Sequence, residues 1–260
     1  MSPVSLSIAL RPRTLLETCD LAVAFTRRSL GVYWAVSLAT LLVPGVCFYA
    51  IGQSLDVGWS WIWLMVAVWS VLIQGAFTLL GGELLFASNV SLRAVALRFA
   101  RSLPGYVAVL LVSLARLFLL AMTVFLAPKA FAAAALIPEV VLLEGLRGRS
   151  ALRRGERLGA TLSRKMVGFG LLVVLGTCAA AILAEALCWA VFDFLLQLGS
   201  PFGRLFEDGG SLYAVLGALA AVPLLSTLRL LAYADGRARQ DGWDIQVRFQ
   251  AIRARDEVLR

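Results

Sequence analysis

Histidine is absent from the 260 residues. Its absence removes imidazole-based zinc sites, Ser-His-Asp and Cys-His catalysis, haem ligation by His and His proton relays in one step. Cysteine is scarce. Cys19, Cys47, Cys178 and Cys188 form no C-x-x-C pair, and three of them lie in apolar runs. They read as small buried hydrophobes, not as a redox or metal set. Carboxylates are few as well: the 16 Asp and Glu are scattered, with no D-x-D or E-x-x-E cluster to hold a divalent ion. No cofactor is expected. Charged residues make up only 15% of the chain, against about 25% in soluble domains.

Hydrocarbon is what the sequence has in excess. Hydrophobic residues reach 60% and the mean hydropathy is +0.86, where soluble domains average about 45–50% apolar. So little polar surface cannot cover a soluble protein of this length, and the surplus must face lipid. The expected fold is all-α, a polytopic membrane bundle. A secreted disulfide scaffold, a disordered chain, a coiled coil and an ordinary cytosolic enzyme are excluded.

Crossing a bilayer takes about 20 apolar residues. Six runs fit: 30–52, 57–82, 103–127, 130–147, 167–190 and 211–234. They divide the chain into an N-terminal segment 1–29, a six-span domain 30–234 and a basic tail 235–260. Net charge is +8, with 22 Arg and 2 Lys. With the N-terminus in the cytoplasm, 20 basic residues fall inside and only Lys129 and Arg204 outside. Such a split orients both termini to the cytoplasm. It also accounts for the charge without nucleic acid, which is not expected as a partner. The twin arginine in FTRRSLG (25–31) is followed by an apolar run too long for an export signal, without an A-x-A site. Trp59, Trp61, Trp63 and Trp69 fit interfacial anchors.

Three cytoplasmic segments each open with Ser or Thr and precede a pair of spans: 14–31, 91–105 and 150–168. Apolar stripes run along them: Leu15, Leu16, Cys19, Ala22 and Val23; Leu92, Val95, Ala96 and Phe99; Leu152, Leu158 and Leu162. The pattern predicts three interfacial amphipathic helices, apolar side in the acyl boundary and Arg toward anionic head groups. Each is expected to end at a glycine, Gly31, Gly105 or Gly168, where the chain turns into the bilayer. In the tail, Ile245, Phe249 and Ile252 fit a helix docked on the cytoplasmic face.

Charges at bilayer depth cost at least about 2.5–3.5 kcal/mol each and need a partner or a task. Arg116, Glu139, Glu144, Glu185 and Arg229 form the candidate intramembrane network. At about 1.5 Å per residue, Arg116 would lie ~20 Å and Glu139 ~12 Å from the inner face. Arginine's long stem spans the difference, so Arg116–Glu139 is the first expected pair, and Arg229 could reach Glu144 or Glu139. Structural glue outweighs a proton or substrate relay, because Pro138 and Pro223 are the only signs of broken helices. Gly176, Ala180, Ala184 and Cys188 form a small-residue stripe, with Gly217 and Ala221 a shorter one. Both read as seams for packing within the chain.

The residues 9–34, ALRPRTLLETCDLAVAFTRRSLGVYW, resemble the opening of the glycerophosphoryl diester phosphodiesterase membrane-domain-like family, with its L-R-P-R-(S/T) box. Residues 138–158 resemble that family's central motif through Glu144-Gly145 and Ala151-Leu152-Arg153-Arg154. Residues 231–245 resemble its closing box through Tyr233, Asp235, Arg237, Gly242, Asp244 and Ile245. Gly155, Gly236 and Asp241 stand where the family usually has Ser, Leu and Glu, a departure that bears on local helix packing. The resemblance implies a stand-alone six-span protein of a bacterial cytoplasmic membrane. The phosphodiesterase chemistry belongs to a separate barrel, which is expected to be absent. Because the distinctive residues are cytoplasmic, the expected role is non-enzymatic: an accessory or scaffold subunit with a membrane-protein partner. Its candidate contact surface is Arg153, Arg154, Tyr233, Asp235, Arg237 and Asp244. The alternative is a transporter or lipid-handling permease that uses the intramembrane charges.

Overall fold

The computed structural model describes residues 13–86, 90–121, 131, 134–199 and 201–242. Within them every regular element is helical. The α-helices are α1 (Leu15–Arg28), α2 (Leu30–Ser37), α3 (Val43–Ser54), α4 (Trp59–Leu84), α5 (Leu92–Ala121), α6 (Ile137–Glu139), α7 (Gly148–Thr161), α8 (Ser163–Cys188), α9 (Leu212–Ala220) and α10 (Val222–Asp241). Three π-helical turns interrupt or extend them: π1 (Leu38–Leu42), π2 (Val140–Glu144) and π3 (Trp189–Leu195). Five stretches are long and apolar enough to cross a bilayer, namely Leu30–Ser54, Trp59–Leu84, Leu92–Arg116, Lys165–Leu195 and Leu212–Asp241. The protein is an all-α polytopic membrane bundle.

The fourth predicted span departs from this pattern. The described part of 130–147 is not one long helix: it turns at Ala135–Leu136, forms the single turn α6 and continues into π2. Pro138 sits in the first turn of α6, where its missing N–H costs nothing, and it cannot extend a helix backwards. Leu136, Ile137, Glu139 and Val140 are all at most 1% exposed. Irregular backbone at membrane depth survives only where protein, not lipid, surrounds it.

The glycines expected to turn the chain do not. Gly31, Gly105 and Gly168 lie inside α2, α5 and α8. The α1–α2 break falls at Ser29, and the α7–α8 break at Leu162. The segment 91–105 is not a separate interfacial helix. It is the first half of α5, which runs through Pro104 unbroken. In an apolar surround the backbone must satisfy its own hydrogen bonds, so helix continues wherever nothing forces a turn. The predicted tail helix, with Asp244, lies outside the described residues.

The described chain divides into two compact units. One comprises 1–25, 75–170 and 226–260, the other 26–74 and 171–225. All arginines except Arg27, Arg28 and Arg204 belong to the first unit.

In the first unit, α10 is buried nearly all round, with Leu228, Leu230, Ala232, Tyr233 and Asp235 at most 5% exposed. The stripe of α7 also faces protein and not the acyl boundary. Leu158 and Leu162 lie over Gly236, and Gly155 sits on Ile137 so closely that a Cβ there would stand 2.7 Å from the Ile137 Cα. On α1 the buried face is Thr18, Ala22 and Phe25, while Leu16 and Val23 are exposed.

In the second unit, Pro44 cannot donate to the Thr40 carbonyl one turn back, and its ring would press on it. The wider turn π1 relieves that crowding, and the Trp69 indole N–H donates to the Thr40 oxygen at 2.7 Å. The small-residue seam is internal, as expected: a Cβ on Gly217 would lie 2.5 Å from the Ala180 carbonyl oxygen. Of Trp59, Trp61, Trp63 and Trp69, Trp61 alone is exposed. Trp59 packs over Gly210, and Trp63 donates to the Gly209 carbonyl at 3.0 Å.

Candidate functional site

The first unit gathers charged residues into three groups on α10: Arg229, Tyr233, Arg237 and Asp241 share one face, and Asp235 and Arg239 lie on the opposite one. The deepest is Glu139 with Arg229. Arg229 Nε lies 2.7 Å from Glu139 Oε1, and its Nη2 donates to Oε2 at 3.0 Å and to the Ala135 carbonyl at 2.8 Å. Glu139 is 1% exposed. An ion pair with a donated hydrogen bond offsets the desolvation of both ions. The donor to Ala135 serves the carbonyl left at the break before α6.

One turn further along the chain, π2 ends at Glu144, and Gly145 takes the left-handed conformation (φ 69°) that closes the turn. Glu144 accepts from the Tyr233 hydroxyl at 2.7 Å and from Arg154 Nε at 3.3 Å, with Arg237 Nε 3.8 Å away. The same Arg154 guanidinium forks onto Asp241, both nitrogens donating. Arg154 thus ties α7 to π2 and to the end of α10. Its guanidinium is held above the usual arginine range, first by the hydrogen bond to Asp241 and then by Glu144, against the opposing effect of burial.

A third group staples the N-terminal segment. Asp235 accepts from the Arg13 backbone N–H at 2.8 Å, from Lys165 Nζ at 2.8 Å and from Arg239 Nε at 3.2 Å. The Arg13 carbonyl in turn accepts from Lys165 and Arg239, both at 2.9 Å. Segments separated by more than 220 residues are joined here. Beside the second group lies a recess of about 420 Å³, walled by Leu79, Phe86, Leu143 and Leu230 and reached by Tyr233 and Arg237.

The expected network is therefore assembled only in part. Glu139 meets Arg229, but the first expected pair, Arg116–Glu139, does not form. Arg116 pairs instead with Glu156 of α7, both about half exposed. Glu185 belongs to the second unit, where it accepts from the Leu205 backbone N–H at 3.0 Å and from the Ser211 hydroxyl. Ser211 also caps α9 by accepting from the Ala214 N–H. Glu185 anchors a loop and a helix start within the second unit.

The expected contact surface is likewise corrected. Tyr233 and Asp235 are 2% and 4% exposed, and Arg154 is turned inward; among the described residues of that set Arg153 alone stands exposed, with Arg237 half-buried. Neighbours on a helix are ~100° apart, so an Arg-Arg pair cannot present one face. Sequence reading missed Lys165, Arg239 and Asp241 as partners. Asp235–Arg239 and Arg237–Asp241 are four apart on α10, a spacing that was the available signal.

Chemically, the three groups hold elements together. Among the described residues no three of Cys, Asp and Glu stand together as a metal site requires. No family model matches the chain, and no curated protein or solved structure matches it.

Proposed function

We propose that this chain is a non-enzymatic accessory or scaffold subunit of a complex in a bacterial cytoplasmic membrane, oriented with both termini in the cytoplasm. The observation that carries the reading is how the buried charges are used. Glu139, Glu144, Asp235 and Glu185 are each engaged by donors that fix one segment against another. A permease moving protons or solutes through Arg116, Glu139 and Arg229 needs those groups in one path, but Arg116 pairs with Glu156 and Arg229 with Glu139. What stays outward on α7 is Arg149, Arg153 and Arg157, a basic face suited to an acidic partner surface. The motifs that resemble the membrane-domain-like family support the same role, because Arg13, Glu144, Arg154, Tyr233 and Asp235 all serve the framework.

The test is capture of the tagged protein in native lipid discs, with mass spectrometry of what is retained. A stoichiometric protein partner is expected. It should be lost from Arg149→Glu/Arg153→Glu/Arg157→Glu, which spares Arg154, with thermal stability unchanged. A wild-type protein that purifies alone would overturn the reading.

A further inference from the structure

We infer that the cleft between α5 and the segment Val141–Arg147 is a binding site for one anionic phospholipid. Its headgroup phosphate is held by Arg98, Arg101 and Arg147, and the start of an acyl chain lies along Leu97, Val141 and Leu142. This goes beyond the general attraction of a basic surface for head groups and does not depend on the accessory-subunit reading.

The cleft has a volume of about 480 Å³, within the range of pockets that hold small ligands. Its chemistry is two-sided. Three guanidinia from two separate parts of the chain converge on it, and the rest of the lining is mainly apolar. Arg98 and Arg101, three residues apart on α5, share one helix face. Gly145 turns the chain after π2 in a conformation that only glycine adopts freely, and this brings Arg147 to the opposite wall. No ion pair engages Arg101 or Arg147 among the described residues, and Arg98 has only a long contact with Glu83 at 3.7 Å.

Among the described residues the three guanidinia share one carboxylate neighbour, Glu83 at 3.7 Å from Arg98. The planar fork of arginine matches phosphate oxygens bidentately. A soluble anion would satisfy the arginines but leave the apolar wall unused. An amphiphile with one negative phosphate and hydrocarbon tails uses both. The position agrees: Arg98 and Arg101 lie in the first turns of a helix that is apolar enough to cross the bilayer from Leu92 to Arg116, where a headgroup would stand. Basic pockets between spanning helices are a recognised form of anionic-lipid site.

The experiment is native mass spectrometry of the full chain in non-ionic detergent, titrated separately with dioleoyl phosphatidylglycerol and dioleoyl phosphatidylcholine. Phosphatidylglycerol should be retained with at least about tenfold preference. Arg101→Ala/Arg147→Ala should weaken that lipid about 25-fold, about fivefold per arginine, and leave phosphatidylcholine unchanged. Arg149→Ala/Arg153→Ala removes the same charge outside the cleft and should change retention less than about twofold. Arg101→Lys/Arg147→Lys keeps the charge without the fork and should give a partial loss, so a folding defect in the alanine variant would not hide the effect. Equal retention of the two lipids, or equal loss in the Arg149/Arg153 variant, would overturn the site. Displacement of phosphatidylglycerol by low-millimolar inorganic phosphate would overturn the lipid as its occupant.

Discussion

Glu139 and Arg229 show what a single pair can hold at membrane depth. Each alone would be a buried charge. Together they form two contacts, and Arg229 adds a third to the carbonyl at the break before α6. Removing one partner leaves the other uncompensated, which costs about 3–5 kcal/mol. Glu139→Leu is therefore expected to lower thermal stability in detergent sharply, and Glu139→Leu/Arg229→Met to recover most of the loss, with about 1 kcal/mol remaining for the unpaired Ala135 carbonyl. Equal destabilisation by the single and double variants would refute the pairing. Both residues are legible in the sequence as costly charges, but their partnership is not. Depth arithmetic along two spans joined by a hairpin favours Arg116, which pairs with α7 instead. Depth orders residues along the bilayer normal but says nothing of which helices are neighbours.

At the scale of elements, the apolar runs announce the helices while the breaks stay hidden. A glycine in a soluble helix end is a credible stop signal, yet in an apolar surround the backbone has no water to turn toward. Gly31 and Gly155 make the contrast measurable. Gly31 lies in α2 with no atom near its would-be Cβ, so Gly31→Ala should stabilise by about 0.5–1 kcal/mol. Gly155→Ala drives a methyl against the Ile137 backbone and should cost about 1–3 kcal/mol. Denaturation of the two variants in the same detergent checks both signs. Gly155 and Gly236, two of the three departures from the resembling family's pattern, both lie where α7, α6 and α10 approach closely. The composition there follows that spacing. The π turns were not legible: π1 depends on Pro44 together with a tryptophan 25 residues away, and no local pattern contains both.

For the whole molecule, the arginines concentrate in the first unit, all but Arg27, Arg28 and Arg204. Orientation is open to direct measurement. In a background with Cys19, Cys47, Cys178 and Cys188 replaced by alanine, Arg153→Cys and Phe206→Cys introduce thiols at exposed positions on α7 and in the loop before α9. A membrane-impermeant maleimide added to intact cells should label Phe206→Cys alone, and Arg153→Cys only after lysis. The reverse pattern would invert the proposed topology. The all-α polytopic class was the most legible because hydropathy sums over many residues, whereas Asp235 meeting Arg13 depends on a single contact across nearly the whole chain.

The turn π2 makes residue count, and not residue identity, a variable. A π turn holds one residue more than the α-helical turn it replaces, and a helix rotates ~100° per residue. Deleting one residue anywhere in Val140–Leu143 would leave an apolar helix of ordinary composition, but it would swing Glu144 away from Tyr233 and Arg154 while leaving Glu139 on Arg229. The segment can thus behave as a ratchet of one tooth, through which a single-codon deletion would release Glu144 from both α7 and α10 without altering Tyr233 or Arg154.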